Sequence, residues 1–284
     1  MGQTIACANQ KGGVGKTTTV VNLGTHLALS GHRVLIVDVD PQGNATSGLG
    51  IPRAGLRATL YEALTGDIPL RDAILPTVIE RMFIVPSGVA LAGAEVELAQ
   101  VDQRERRLAR LLADVAADYD EVLLDCPPSL GLLTVNALTA ADSVLIPLQC
   151  EYYALEGLTQ LIATVNLVRD HLNPALEIQG VVLTMVDART NLSADVAAEA
   201  RRHLGTTVYE AAVPRSVRLS EAPSFGLPIA LHAPESKGAI AYRDVGGEFL
   251  RRNGRLAEET HVPNGPPPAS AASVDPVAIG TGHR

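Results

Sequence analysis

The stretch Asn9-Gln10-Lys11-Gly12-Gly13-Val14-Gly15-Lys16-Thr17-Thr18 lies between two segments with clear patterns. Ile5 to Ala8 form a short apolar run typical of a buried strand, and Thr18 to Ser30 carry apolar residues at helical spacing. A glycine loop in this position turns its backbone N–H groups inward, and the helix N-terminus adds partial positive charge. The sequence therefore predicts a loop that surrounds a polyphosphate with hydrogen-bond donors.

The residues of this loop have separate predicted roles. Lys16 is placed to reach the β- and γ-phosphates of a nucleotide, and the Thr17 hydroxyl is placed to bind Mg²⁺. Only three of the 23 basic residues are lysines, and two of them lie in the loop, where a compact ammonium suits phosphate oxygens. The plainer alternative is a glycine turn with solvated lysines, and eight specified positions between a strand and a helix weigh against it. The predicted nucleotide contacts are Lys11, Gly12, Gly13, Val14, Gly15, Lys16, Thr17 and Thr18.

The loop departs from the common pattern G-x-x-x-x-G-K-[ST]. Gln10 stands where that pattern has its first glycine, and Lys11 follows it. In this form, KGGVGKTT, the chain resembles the ParA/Soj family of chromosome- and plasmid-partitioning ATPases, whose Walker A loop is described as deviant. The resemblance covers roughly residues 3–250. It implies a homodimer in the ATP-bound state, in which Lys11 of one subunit contacts the phosphates held by the other.

A second acidic motif follows the next predicted strand, Arg33 to Val37, in the sequence Asp38-Val39-Asp40-Pro41-Gln42-Gly43-Asn44. Side chains alternate along a strand, so Asp38 and Asp40 are expected to leave on the same side at its carboxyl end. In a doubly wound sheet this end faces the ligand crevice. By resemblance, Asp40 orients the attacking water, Asp38 lies near the metal, and Lys11, Lys16 and Asp40 form the catalytic set. Two solvated loop aspartates are the alternative.

A third motif is the apolar strand Glu121-Val122-Leu123-Leu124-Asp125, followed by Cys126-Pro127-Pro128. An acid at the end of a hydrophobic strand is the Walker B pattern, in which the carboxylate holds Mg²⁺ through water. The pattern is weak evidence alone and gains strength from the phosphate loop. The longer segment DCPPSLGLLTVNALTAAD also resembles the partitioning family. The predicted metal ligands are therefore Thr17, Asp38 and Asp125.

Composition limits the class of protein. The 284 residues fit one large α/β domain or two small ones, and one set of motifs spread along the chain favours one. The net charge of −8 argues against nucleic acid unless basic residues form a local patch. No apolar run reaches about 18 residues, so a membrane span is not expected, and the N-terminus leaves no room for a signal peptide. Cys7, Cys126 and Cys150 are an odd, widely spaced set, expected to be reduced core thiols of a cytosolic protein.

Predicted strands and helices alternate along the chain, which requires a mostly parallel sheet with helices on both faces, a three-layer α/β fold of the P-loop type. Apolar spacing predicts helices over Leu91–Ala99, Asp102–Ala117 and Tyr153–His171, and a strand over Glu177–Val186. The predicted ATPase domain spans residues 1–253. Residues 254–284, rich in Pro, Gly and Ala, are expected to form a disordered tail.

The segment Val213 to Ser224 carries two further predictions. By resemblance its start lines the adenine pocket, which nominates Pro214 and Ser216, although asparagine is the commoner family residue at the second position. Matching arginines contribute to nonspecific binding of double-stranded DNA in the family, while the plainer interpretation makes each a surface salt-bridge partner. The predicted DNA contacts are Arg189, Arg215 and Arg218.

The resemblance implies an ATP-dependent dimerisation switch for chromosome or plasmid partitioning. Slow hydrolysis of Mg-ATP is expected to control DNA binding, to be stimulated by a ParB-type centromere-binding partner, and to take place in the cytoplasm on the nucleoid. The leading alternative is a MinD-like membrane- or protein-positioning ATPase, although no basic amphipathic helix occurs in the tail. An iron–sulfur carrier would need C-x-x-C or bridging cysteines. A scaffold without hydrolysis would tolerate the loss of Asp40, and a sequence-specific repressor would need an N-terminal helix-turn-helix.

Overall fold

A buried sheet of seven strands organises the computed structural model, which describes residues 2–151, 154–187 and 189–255. The sheet order is β3-β4-β2-β5-β1-β6-β7, and every neighbouring pair is parallel except β3 with β4. Short apolar runs form the strands because each central strand is covered by helices on both faces. The strands are β1 Gln3–Cys7, β2 Val34–Asp38, β3 Leu75–Pro76, β4 Met82–Val85, β5 Glu121–Asp125, β6 Ser143–Gln149 and β7 Glu177–Thr184.

Eleven α-helices cover the sheet within the described residues. They are α1 Lys16–Leu29, α2 Asn44–Gly48, α3 Leu60–Thr65, α4 Leu91–Glu97, α5 Arg107–Ala113, α6 Leu132–Ala140, α7 Ala154–His171, α8 Asn191–Leu204, α9 Val217–Glu221, α10 Ile229–His232 and α11 Lys237–Arg252. Side chains of one strand alternate between two cores, as Leu35 and Val37 face the helices α3 to α8 and Val34 and Ile36 face the others. The predicted three-layer α/β fold is thus confirmed.

The sheet order brings the carboxyl ends of β2, β5 and β1 side by side. Asp38 at the end of β2 is in register with Asp125 at the end of β5, and Asp125 is in register with Cys7 of β1. Residues that follow these three strands therefore share one crevice, as expected for a doubly wound sheet.

Several predicted elements have different bounds in the structure, and for two of them the structure shows the reason. The helix predicted over Asp102–Ala117 is reduced to α5, because the Asn136 side chain accepts from Leu108 N (3.1 Å) and donates to Arg104 O (2.9 Å), and so fixes where the helix begins. The strand predicted to reach Val186 ends at Thr184, since Met185 has a positive φ of 51° that a strand cannot continue through.

At the C-terminal boundary, α11 ends at Arg252, and Arg255 donates to Asp120 O (3.1 Å) and to the Glu121 carboxylate. Residues 256–284 of the predicted tail lie outside the described residues, so the domain boundary stays a prediction. The described helices include none with the length and hydropathy needed to cross a membrane. Cys7, Cys126 and Cys150 are buried free thiols, as predicted.

Candidate nucleotide-binding site

A cavity of about 380 Å³ opens at the carboxyl ends of the central strands. Most of the predicted phosphate loop lines it, together with Asp40. Lys11 and Val14 do not, and neither do Asp38 and Asp125. The lining residues are Gly12, Gly13, Gly15, Lys16, Thr17, Thr18, Asp40, Gln42, Asn44, Ser47, Pro128, Met185 and Pro223.

The loop has the backbone conformation that its glycines predict. Gly13 and Gly15 have φ values of 73° and 92°, in the left-handed region that favours glycine, and α1 begins immediately afterwards at Lys16. The Lys16 side chain is buried, and its Nζ donates to the carbonyl oxygen of Lys11 (3.1 Å). The ammonium is therefore held inside the loop, at the helix N-terminus where a polyphosphate would bind.

Two side-chain hydrogen bonds fix the loop to distant strands, and a third lies within the loop. Asn9 Nδ2 donates to Pro147 O (2.7 Å), Asn9 Oδ1 accepts from Lys11 N (3.0 Å), and Thr184 Oγ1 donates to Val14 O (2.8 Å). Sequence reasoning assigned no role to Asn9 or Thr184. Their position along the chain could have identified them, because each is a polar residue at or just after the end of a strand, and both are buried.

Lys11 is paired with an acid outside the lining of the phosphate cavity of its own chain. Its Nζ forms an ion pair with Glu151 Oε2 (2.8 Å), with 39% and 44% of the two side chains exposed. The same carboxylate accepts a hydrogen bond from Gln149 Nε2 and lies 3.8 Å from Arg215 Nη2. Glu151, just after the end of β6, was missed by sequence reasoning, although an acid at a strand end is the signal that identified Asp125.

Asp125 is fully buried, and neither carboxylate oxygen has a hydrogen-bond partner among the described residues. Burial raises its pKa well above the usual value, and the neighbouring Asp38 raises it further. The Thr17 hydroxyl lies near enough to lower this pKa but does not reach hydrogen-bond geometry. An unpaired carboxylate beside a helix-terminal hydroxyl fits Mg²⁺, which binds one or two protein oxygens and takes its other ligands from phosphates and water.

The two aspartates of the second motif occupy different environments. Asp38 is fully buried, and its Oδ2 accepts from Thr46 N (2.8 Å) and Thr46 Oγ1 (2.6 Å). Burial raises the pKa of Asp38 to about 6, although these hydrogen bonds lower it. Asp40 lies beyond the end of β2, so the alternation argument does not extend to it. Its carboxylate lines the cavity and accepts from Gln42 N (2.9 Å).

A second cavity of about 270 Å³ adjoins the first, and the two share Gly15, Thr18, Met185 and Pro223. Pro214 and Ser216, the predicted adenine contacts, both line it. An isolated parallel bridge between Val186 and Pro214 holds this wall against the end of β7. The arrangement provides room for a base next to the phosphate cavity. The remaining lining residues are Thr184, Val213, Arg215, Leu219, Ser220 and Tyr242.

The three arginines predicted to contact DNA are exposed, and each has an acidic neighbour. Arg189 Nη2 lies 2.7 Å from Asp187 Oδ2, and Arg218 Nη1 lies 2.9 Å from Glu221 Oε2. Arg215 is 3.8 Å from Glu151, and together with Arg189 it lowers the pKa of Asp187. Arg189 and Arg215 therefore share one surface beside the base cavity. Their contact with DNA stays a prediction.

Together, the glycine loop, the enclosed lysine, the buried strand-end aspartates and the paired cavities define a P-loop nucleotide-binding protein. A family profile described as an AAA domain matches residues 2–178. The sporulation initiation inhibitor protein Soj of Bacillus subtilis is 57% identical over 248 residues, which cover 87% of this chain and 98% of that protein. The chromosome partitioning protein ParA of Myxococcus xanthus is 53% identical over 253 residues, which cover 89% of each.

A solved structure supplies the ligands of a similar protein. The cobyrinic acid a,c-diamide synthase from Mycobacterium smegmatis, with bound ADP and magnesium, has a TM-score of 0.79 and 40% identity, and the match covers 89% of this chain and 96% of that one. The chain belongs to the ParA/Soj family of ATPases. It is an ATPase that uses ATP and Mg²⁺.

Proposed function

We propose that this ATPase is an ATP-dependent dimerisation switch for chromosome or plasmid partitioning. The ATP-bound dimer binds DNA without sequence preference, and slow hydrolysis ends that state. A ParB-type centromere-binding protein accelerates the hydrolysis. The similarity to ParA proteins named for chromosome partitioning supports the process, and the geometry around the phosphate loop supports the switch.

The position of Lys11 carries the proposal. The residue belongs to the phosphate loop, yet its ammonium is paired with Glu151 at 2.8 Å and it does not line the phosphate cavity of its own chain. A lysine in this position can add positive charge to a nucleotide held by a second copy of the chain. Two copies would then exchange lysines across a shared interface. ATP offers one more phosphate to such a lysine than ADP does, so ATP favours the dimer.

The chain's own residues perform the remaining steps. The loop N–H groups and Lys16 bind the phosphates, and Pro214 and Ser216 contact the base. Thr17 and Asp125 would hold Mg²⁺, with Asp38 behind them, and the ion when bound would neutralise charge on the phosphate oxygens. Asp40 orients the attacking water from the wall of the phosphate cavity.

DNA contact is assigned to Arg189, Arg215 and Arg218, whose side chains are 85%, 60% and 63% exposed. Arginine presents five N–H donors, so its guanidinium group can donate to a phosphate while it still donates to an acidic neighbour. Contacts of this kind carry no base readout, which fits nonspecific binding. Such binding would place the protein on the nucleoid in the cytoplasm.

The test is binding to random-sequence duplex DNA with ATP, with ADP and without nucleotide, across a salt series. Wild type is compared with Asp40→Ala, which should retain ATP, and with Lys11→Ala, which should bind ATP as a monomer but not dimerise. We expect binding that requires ATP, persists in Asp40→Ala, is lost in Lys11→Ala and weakens steeply with salt. Absence of binding in every state would remove DNA from the proposal and favour the MinD-like positioning alternative.

A further inference from the structure

Asp40 is connected by a buried hydrogen bond to an element that no nucleotide-site motif includes. Its carbonyl oxygen accepts from Ser87 Oγ (2.8 Å), two residues after the end of β4. The same carbonyl accepts from Gly43 N (2.9 Å). This bond lies within the turn, so it does not hold the turn in place relative to the sheet. In the described residues, Ser87 is thus the hydrogen-bond donor that ties the Asp40 backbone to a different strand.

Ser87 is itself held by the residue that holds Asp38. Ser87 N donates to Thr46 Oγ1 (2.9 Å), and Thr46 Oγ1 donates to Asp38 Oδ2 (2.6 Å). Asp38, Thr46 and Ser87 are all fully buried. The direction of every bond is fixed, because a carboxylate and a carbonyl can only accept and the Ser87 N–H can only donate. The circuit from Asp38 through Thr46 and Ser87 to Asp40 therefore has one arrangement.

The Asp40 backbone is held by this circuit and by its own N–H, which donates to Asp38 Oδ1 (3.3 Å), and the Asp40 carboxylate takes its position from that backbone. Within the described residues its hydrogen bond comes from Gln42 N, which belongs to the same turn. That bond orients the carboxylate relative to its own backbone but not relative to the phosphate loop. The turn also packs tightly against the serine, since a Cβ added at Gly43 would lie 3.1 Å from Ser87 O.

We propose that Ser87, held by Thr46, is a positioning residue for hydrolysis that fixes the backbone from which Asp40 reaches the phosphate cavity. The inference rests on the proposed role of Asp40. Ser87 lies outside the residues that line either cavity, so its effect is directed at Asp40 and not at ATP binding. A shift of a few tenths of an ångström in the groups that orient a nucleophile costs about tenfold in rate, given that 1 Å can cost about a hundredfold.

The test is steady-state hydrolysis of ATP by Ser87→Ala, which gives kcat and KM, with ATP affinity measured separately. The Asp40 carbonyl keeps its bond from Gly43 N in this variant, so no buried acceptor is left unpaired. We expect kcat to fall about tenfold, with KM and ATP affinity within about twofold of wild type. Ser143→Ala is the matched control, because it removes a buried serine hydroxyl at the opposite end of the sheet and should hydrolyse ATP normally.

Two further comparisons separate positioning from general stability. Thr46→Ser keeps the hydroxyl that joins Ser87 to Asp38 and should resemble wild type, whereas Thr46→Val should lose kcat as Ser87→Ala does. In an Asp40→Ala background, Ser87→Ala should lower the residual rate no further, because the side chain that it positions is already absent.

The outcomes distinguish this inference from the proposed function. A normal rate in Ser87→Ala beside a strongly slowed Asp40→Ala would overturn the inference and leave the role of Asp40 intact. An equal, additional loss in the Asp40→Ala background would show that Ser87 acts independently and would overturn it as well. A normal rate in Asp40→Ala would refute the proposed role of Asp40 itself, and the inference with it.

Discussion

Replacing Glu151 with glutamine should make the protein dimerise at lower ATP concentration. In the single chain, Glu151 holds the Lys11 ammonium at 2.8 Å, and this ion pair must break before Lys11 can reach a second subunit. The side chains are 39% and 44% exposed, so solvent screens the pair and it contributes only about 0.5 kcal/mol. Two pairs break per dimer, which amounts to about 1 kcal/mol and about a fivefold change in the dimerisation constant.

The assay measures by sedimentation how dimerisation depends on ATP concentration. DNA is left out, so that a change in DNA binding by Arg215, which lies beside Glu151, does not affect the result. Glutamine keeps an oxygen for the Gln149 donor and removes only the charge. Glu199→Gln, which removes an exposed acid paired with Arg202 on α8, is the control and should behave as wild type. The difference should shrink at high salt. A higher ATP requirement in Glu151→Gln would refute the reasoning, because Glu151 would then stabilise the dimer.

Four other changes have defined outcomes. Lys16→Ala should abolish ATP binding measured by calorimetry, because the loop would lose the charge that faces the phosphates. Asp125→Asn should abolish Mg²⁺-dependent hydrolysis. In EDTA and without nucleotide, it should also raise the free energy of unfolding by about 1 to 3 kcal/mol, since it replaces an unpaired buried carboxylate. A lower melting temperature of this variant would contradict the second prediction. Ser216→Ala should weaken ATP binding up to about tenfold, the value of one hydrogen bond. Arg215→Ala should lower the salt slope of DNA binding by about 2, one phosphate contact per subunit of a dimer.

The sequence was sufficient for the features that depend on neighbours in the chain. The phosphate loop was predictable because strand, glycine turn and helix follow one another within 30 residues, and the positive φ of Gly15 is what glycine there implies. The parallel sheet was predictable because strands and helices alternate. The alternation of side chains along a strand could not show that Asp38 and Asp40 occupy different environments. The reason is that the strand ends at Asp38 and the alternation does not continue to Asp40.

The missed residues share a physical reason, which is that their partners are far away in the chain. Asn9 holds Pro147 and Thr184 holds Val14, across separations of 138 and 170 residues. Nothing local distinguishes a serine such as Ser87 from any other polar residue after a strand. Its hydrogen bond to the Asp40 backbone exists only because β4 lies beside β2 in the sheet.

The position of Glu151 limits how nucleotide state would control DNA binding in the proposed switch. Its carboxylate lies between Lys11 at 2.8 Å and Arg215 at 3.8 Å, so the two cations share one acid. When Lys11 leaves for a second subunit, the attraction between Glu151 and Arg215 is no longer divided and becomes stronger. Release of Lys11 therefore does not free Arg215 for DNA. An ATP-dependent affinity for DNA has to come from bringing the arginines of two subunits onto one surface, which is why the dimer and not the nucleotide-bound monomer is the expected binding form.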